Sequence, residues 1–175
     1  DAIPHHKALT AQVHDHGAKI VLQILHAGRY AFSPHCVAPS ALKSPISPFA
    51  PTELTDATIA KQIDEIAQTA RNAIEAGYDG VELMGSEGYL INQFLAPKTN
   101  RRTDRWGADR RLFAREVTRA TREAIGQALL IYRISLIDLV EDGQTWDDTA
   151  QLATELSPLV DLFNSGIGWH EARIP

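Results

Sequence analysis

The sequence contains one cysteine, Cys36. A lone cysteine forms no internal disulfide and builds none of the multi-cysteine metal patterns. Such a chain is expected in a reducing, cytoplasmic setting. No apolar run approaches the roughly 20 residues that cross a bilayer, and no signal peptide opens the chain. An excess of positive charge is also missing. Lys and Arg number 17 against 22 Asp and Glu, a net charge of -5, which argues against nucleic-acid or anionic-membrane partners. What remains, 175 residues that are 44% hydrophobic and 22% charged, is ordinary globular composition, long enough for one domain with a real core. The chain opens Asp1-Ala2-Ile3-Pro4 with no methionine and stops at Ile174-Pro175 after a Gly-rich polar stretch. Both ends read as cuts through a longer protein.

Four helix-then-strand units follow one another. The first pairs a helix from about His5 to His16, closed by Gly17, with a strand over Lys19–Leu25. A Pro- and Ser-rich loop runs from His26 to Leu54. In the second unit Ile59, Ile63, Ile66, Ala70 and Ile74 recur at three- and four-residue steps, giving a helix one apolar face. Thr55 is its predicted N-cap and Gly77 its stop, and Asp79–Met84 is the strand. The third helix carries Phe113, Val117, Ala120 and Ala124, stops at Gly126, and leads into a strand over Leu129–Ser135. The fourth pairs Trp146–Leu156 with Val160–Asn164. Alternating helices and strands imply an α/β fold with parallel strands.

Parallel strands are buried on both faces and should be almost wholly apolar. The exceptions here share a parity. Side chains alternate faces along a strand, and Gln23, Glu82, Arg133 and Asn164 all fall on the face opposite Ile20, Leu22, Ile24, Val81, Leu83, Leu130 and Ile134. Polar groups left there without partners would cost several kcal/mol. Either they satisfy one another, for example as a Glu82–Arg133 pair, or they hold a ligand where α/β sites lie, beyond the carboxyl ends of the strands.

The segments after the strands are the unusual part. They read Leu22-Gln23-Ile24-Leu25-His26-Ala27-Gly28-Arg29, then Gly85-Ser86-Glu87-Gly88-Tyr89-Leu90-Ile91-Asn92-Gln93-Phe94-Leu95 with Asn100-Arg101-Arg102-Thr103-Asp104-Arg105-Trp106-Gly107, then Tyr132-Arg133-Ile134-Ser135, and finally Gly166-Ile167-Gly168-Trp169-His170-Glu171-Ala172-Arg173. In this order the four blocks resemble the flavin-binding barrel of the Old Yellow Enzymes. The resemblance implies a partial (β/α)8 TIM barrel, about four β/α units corresponding to strands three to six, in one domain over residues 1–175. Many of these enzymes hold the substrate carbonyl with two His, or a His and an Asn, in the second block. Met84 and Glu87 stand there instead, and the Gly166–Arg173 block agrees with them in resembling the bacterial 2,4-dienoyl-CoA reductases.

That resemblance implies FMN as cofactor, with Gln23 on the polar pyrimidine edge of the ring and Arg133 near its N1 and O2. It implies Tyr89 as proton donor, with His170 as its partner and as a substrate-orienting group. Lys98, Thr99, Asn100 and Arg101, and likewise Glu171, Ala172 and Arg173, match stretches that line the substrate side of an acyl-CoA. FAD, a 4Fe-4S cluster and NADPH would belong to further, C-terminal domains of the parent, and the fragment alone would be inactive. Connections near Trp106, Gly126 and Glu155 are shorter than the family leads one to expect. A general NAD(P)H:flavin ene-reductase acting on enones, or a barrel fragment with only a structural or binding role, are the competing readings. His5, His6, His14 and His16 share one short helix without metal-site spacing, and Trp146 reads as core or as a helix-start anchor.

Overall fold

A computed structural model describes residues 2–173, and Asp1, Ile174 and Pro175, on which part of the reading of the ends rests, lie outside the described residues. In chain order the elements are α1 (Ile3–Asp15), β1 (Val21–Ile24), a long connection holding one 3-10 turn (Gly28–Tyr30) and the short strands β2 (Val37–Ala38) and β3 (Thr52–Glu53), α2 (Asp56–Glu75), β4 (Gly80–Gly85), α3 (Leu90–Leu95), α4 (Arg105–Ala108), α5 (Leu112–Ile125), β5 (Leu129–Ile137), α6 (Trp146–Leu156) and β6 (Leu162–Ile167). The principal sheet is parallel throughout, in the order β1-β4-β5-β6. Among the described residues no helix is long and apolar enough to cross a membrane.

The helix signals are local chemistry. Thr55 caps α2 by accepting from the Thr58 amide while the Thr58 hydroxyl accepts from the Thr55 amide, and Thr145 and Asp148 do the same for α6. Such reciprocal caps satisfy amides that the first turn leaves without partners. Gly77 ends α2 at a φ of 89°, a left-handed conformation that costs glycine little. Trp146 is the first residue of α6 and is 67% exposed, so it is not core.

The core lies between the sheet and its helices. Ile59, Ile66, Ala70 and Ala73 of α2, Phe113, Ala114 and Val117 of α5, and Leu152 and Leu156 of α6 are buried against Val81, Leu83, Leu130, Tyr132 and Ile134 of the strands. The buried stripe of α5 includes Thr118 and Thr121, while Ala120 and Ala124 are only half-buried. The hydroxyl of Thr118 donates to the Ala114 carbonyl at 2.7 Å, which is how a polar residue enters the stripe at low cost.

Register is set at the amino end of the sheet by one device used twice. Asp79 donates its amide to the Ile20 carbonyl, and its carboxylate accepts from the Ile20 amide. Asp161 makes the same two bonds with Leu130. Asp161 is thus spent on this clamp, and β6 begins at Leu162 rather than at Val160 and runs on to Ile167. Gly166 permits that extension. A Cβ there would lie 2.8 Å from Ser86 Oγ and 3.0 Å from Glu87 Oε1.

Candidate active site

The face of the sheet turned away from α2, α5 and α6 carries the polar side chains in two levels. Gln23, Glu82 and Ile131 are in register, and Met84, Arg133 and Asn164 form the next level toward the carboxyl ends. Glu82, 7% exposed, accepts from Gln23 Nε2 at 2.5 Å and from Asn164 Nδ2 at 2.9 Å. The Glu82–Arg133 pair does not form. Arg133 sits one level higher, and its Nε and Nη2 donate to Glu87 Oε1 at 3.0 and 2.7 Å. Gln23 Oε1 and Arg133 Nη1 make no hydrogen bond to any described residue, while Leu25, just past β1, and Leu162 of β6 leave apolar surface exposed.

Glu87 reaches Arg133 because the turn after β4 is left-handed at two successive residues, Glu87 at φ 63° and Gly88 at φ 82°. A non-glycine residue pays strain there, so the turn must be held from outside. Asn92 Oδ1 accepts from the Gly88 amide at 2.9 Å and Gln93 Nε2 donates to the Gly88 carbonyl at 2.6 Å. Both side chains are fully buried. Asn92 also donates to Gln144 Oε1 at 2.8 Å and to Asp138 Oδ1 at 3.4 Å, tying the turn to the loop after β5. Sequence reasoning assigned no role to Asn92 and Gln93. The signal was two amide side chains placed one helical turn after a Gly.

The turn presents Tyr89 to the loop after β6. Tyr89 Oη and His170 Nε2 are 2.7 Å apart, with ring centroids at 5.0 Å. The tautomer of His170 decides which group donates. Glu87 Oε2 lies 3.8 Å from the same His170 nitrogen, so Glu87 stands between Arg133 and the Tyr89–His170 pair. Burial, and secondarily the Glu87 charge, hold the Tyr89 phenol above its ordinary value of 10.0. The phenol is therefore a proton-carrying group at neutral pH.

The positions expected to line the substrate side behave unequally. Thr99 Oγ1 donates to the Gln93 carbonyl and Asn100 Nδ2 to the carbonyls of Phe94 and Trp106. Both side chains are buried and are used up in holding the segment after α3, so neither offers a polar atom to a substrate. Glu171, with a side chain 4% exposed, accepts from Arg29 Nη2 at 2.6 Å, Tyr30 Oη at 3.0 Å and Ser44 Oγ at 3.3 Å, so it too faces the protein and not a ligand. Lys98 Nζ lies 3.8 Å from Glu171 Oε1 and keeps 30% of its side chain exposed, and Arg101 pairs with Asp142 at 3.0 Å on the surface. Ala172 closes the turn through its amide to the Trp169 carbonyl at 2.8 Å, and Arg173 is exposed.

The interior face suits a flavin's polar edge. An unused amide oxygen on Gln23 and an unused guanidinium N–H on Arg133 match a ring that has both a donor and acceptors along that edge, and the adjoining leucines match its apolar part. A separate cavity of about 390 Å³ is lined by Ile3 and His6 of α1, Leu22 of β1, Ala73 of α2, and Ala76 and Tyr78 between α2 and β4.

All of residues 1–175 match the NADH:flavin oxidoreductase / NADH oxidase family. The chain is 42% identical to a metal reductase of Desulforamulus reducens over 99% of its own length and 27% of that protein's. Among solved structures it superposes on 2-naphthoyl-CoA reductase in complex with 2-naphthoyl-CoA with a TM-score of 0.90 at 32% identity, covering 97% of this chain and 29% of the other. It superposes on an Old Yellow Enzyme homologue from Zymomonas mobilis with a TM-score of 0.87 at 27% identity, covering 95% and 52%. The chain thus spans about a quarter to a half of these proteins' lengths. Its match to the family model runs the whole length of the chain, and the chain belongs to the NADH:flavin oxidoreductase / NADH oxidase family.

Proposed function

We propose that this chain is four β/α units of an FMN-dependent barrel that reduces 2,4-dienoyl-CoA thioesters with electrons from NADPH. The observation that carries the reading is the 2.7 Å contact between Tyr89 and His170, at the carboxyl end of the sheet beside Arg133 and Glu87. FMN, when bound, supplies the hydride. Gln23 accepts and Arg133 donates at its polar edge, and a fixed guanidinium stabilises negative charge without reorganising. Tyr89 holds a proton at Oη and delivers it to the carbon chain of the substrate. His170 hydrogen-bonds the same oxygen and stabilises the phenolate that is left, which a phenol of raised pKa requires in order to act as an acid.

Neither Met84, 4% exposed, nor Glu87, engaged by Arg133, supplies the pair of donors that would grip an enone carbonyl. That favours a thioester oriented by His170 over a general enone substrate, and the fold shared with 2-naphthoyl-CoA reductase supports an acyl-CoA. Arg173 is an exposed cation available to its phosphates, and the half-buried Lys98 and the exposed Arg101 could turn to them from Glu171 and Asp142. FAD, a 4Fe-4S cluster and the NADPH site belong, on this reading, to other parts of the full-length protein.

The test is the steady-state oxidation of NADPH by the full-length holoenzyme with 2,4-hexadienoyl-CoA and, separately, with 2-cyclohexenone. A higher kcat/KM for the dienoyl thioester supports the proposal. Turnover of the enone alone assigns a general ene-reductase, and a full-length protein that binds no flavin assigns a structural or binding role.

A further inference from the structure

We propose that the buried Arg29–Glu171 pair and the half-buried Tyr30 form a clamp that sets His170 against Tyr89, and that Glu171 is a positioning residue rather than a substrate ligand. This rests on the reading of Tyr89 and His170 as the proton-transfer pair. His170 is an exposed side chain, 46% accessible, whose polar neighbours are Tyr89 and, at 3.8 Å, Glu87. Its side chain is anchored by Tyr89 and the Tyr30 ring, so its place depends also on how the residues on either side are held.

Those residues are held by several contacts. The amides of Gly168 and Trp169 donate to the carbonyls of Ile137 and Asp138 at 2.7 and 2.9 Å. Trp169 is 3% exposed and lies under the Arg29 guanidinium, 5.8 Å from it. On the other side Glu171 is buried with the same arginine, both side chains 4% exposed, at 2.6 Å. Arg29 therefore grips both flanks of His170, one through a cation–π contact and one through an ion pair. A buried charge deprived of its partner is costly, so the pair has one stable arrangement and little play.

Arg29 is itself fixed to the other half of the site, because its amide donates to Gln93 Oε1 at 3.2 Å, and Gln93 holds the Gly88 carbonyl next to Tyr89. Tyr30 completes the ring. Its hydroxyl donates to Glu171, and its aromatic ring meets both Tyr89 and His170 edge-on at centroid distances of 6.1 and 6.0 Å. The loop after β1 thus acts as a template that holds the turn after β4 and the turn after β6 at one spacing.

The experiment compares Glu171→Ala, His170→Ala and the double variant in the full-length holoenzyme at equal FMN content, with a crystal structure of Glu171→Ala. Glu171→Ala is expected to lower kcat for 2,4-hexadienoyl-CoA about a hundredfold, the scale of an ångström's misplacement, with a small change in KM. The double variant is expected to lose no more than His170→Ala alone, because the clamp acts only through that residue. The crystal structure is expected to show the Tyr89–His170 hydrogen bond broken. A retained hydrogen bond in that structure, or single losses that multiply in the double variant, overturns the clamp. If Glu171→Ala does not accumulate, Glu171→Gln keeps the shape and an acceptor for Tyr30 but removes the negative charge that faces Arg29. It is expected to lower kcat about tenfold, and a wild-type kcat there overturns the proposal. If His170→Ala reduces every acceptor at the wild-type rate, the reading of the pair has failed, and the crystal structure still decides the clamp.

Discussion

Glu87 Oε1 accepts two hydrogen bonds from Arg133, through Nε and Nη2, so the one cation on the interior face of β5 is shared with a carboxylate from the turn after β4. The pair is partly open, with side chains 25% and 19% exposed. Arg133 therefore offers a ligand the N–H groups of Nη1 and a field that Glu87 partly cancels. Glu87→Gln removes the cancelling charge. It is expected to raise the midpoint potential of bound FMN by about 30 mV, the equivalent of roughly 1.4 kcal/mol for two electrons, while Arg133→Ala lowers it and weakens FMN binding by about 2 kcal/mol. Spectroelectrochemistry of both variants checks the signs, and two shifts in the same direction would remove Arg133 from the flavin's surroundings.

Gly88 combines a left-handed backbone with a tight setting. A Cβ there would meet Tyr30 Oη at 2.5 Å and Trp169 Cδ2 at 2.9 Å. Gly88→Ala is expected to destabilise the protein by about 1–3 kcal/mol through backbone strain alone and to displace Tyr30 from Glu171. Thermal unfolding reads the first effect. A stable variant with an unmoved Tyr30 would show that the turn has more room than its contacts imply.

Asp79 ties α1 and the start of β1 to β4. The Lys19 ammonium, then the Ile20 amide and His14, hold its carboxyl far below the usual carboxylate value. A depressed pKa contributes stability that is fully present above the unfolded value of about 3.9 and is lost as the pH falls through the folded one. Asp79→Asn is thus expected to be less stable than wild type at pH 7, and the gap should begin to close below about pH 4. Urea unfolding at pH 7 and pH 3 measures it, and a gap independent of pH would contradict the assignment.

Much of this architecture was legible in the sequence. The four helix–strand units and the Thr55 cap follow from periodicity and capping chemistry, and strand parity placed Gln23, Glu82, Arg133 and Asn164 on one face. Partners on that face were not legible. Parity gives the face but not the level, so Glu82 read as the partner of Arg133, when register puts Ile131 beside it and Met84 beside Arg133. Nothing local announces a left-handed glutamate, and so the Glu87–Arg133 bond was invisible. Glu171, Thr99 and Asn100 sit in substrate-side blocks, yet their side chains turn inward because buried backbone carbonyls and the Arg29 cation need partners more than solvent does.

Tyr89 and His170 carry the sharpest prediction. They come from turns after different strands, and their Oη and Nε2 meet at 2.7 Å. If they share one proton, removing either breaks the same step. Tyr89→Phe should slow reduction of 2,4-hexadienoyl-CoA by roughly 10² to 10⁴, the range typical of one general acid. His170→Ala should slow it too, because the phenolate then forms without a neighbour to stabilise it. The double variant should lose less than the product of the two, since groups that act as a unit are not additive. The measurement is single-turnover oxidation of the reduced holoenzyme by the thioester for all three variants. Multiplicative losses would mean that the two residues work independently despite their contact, and a wild-type rate in Tyr89→Phe would leave the proton to be supplied from elsewhere.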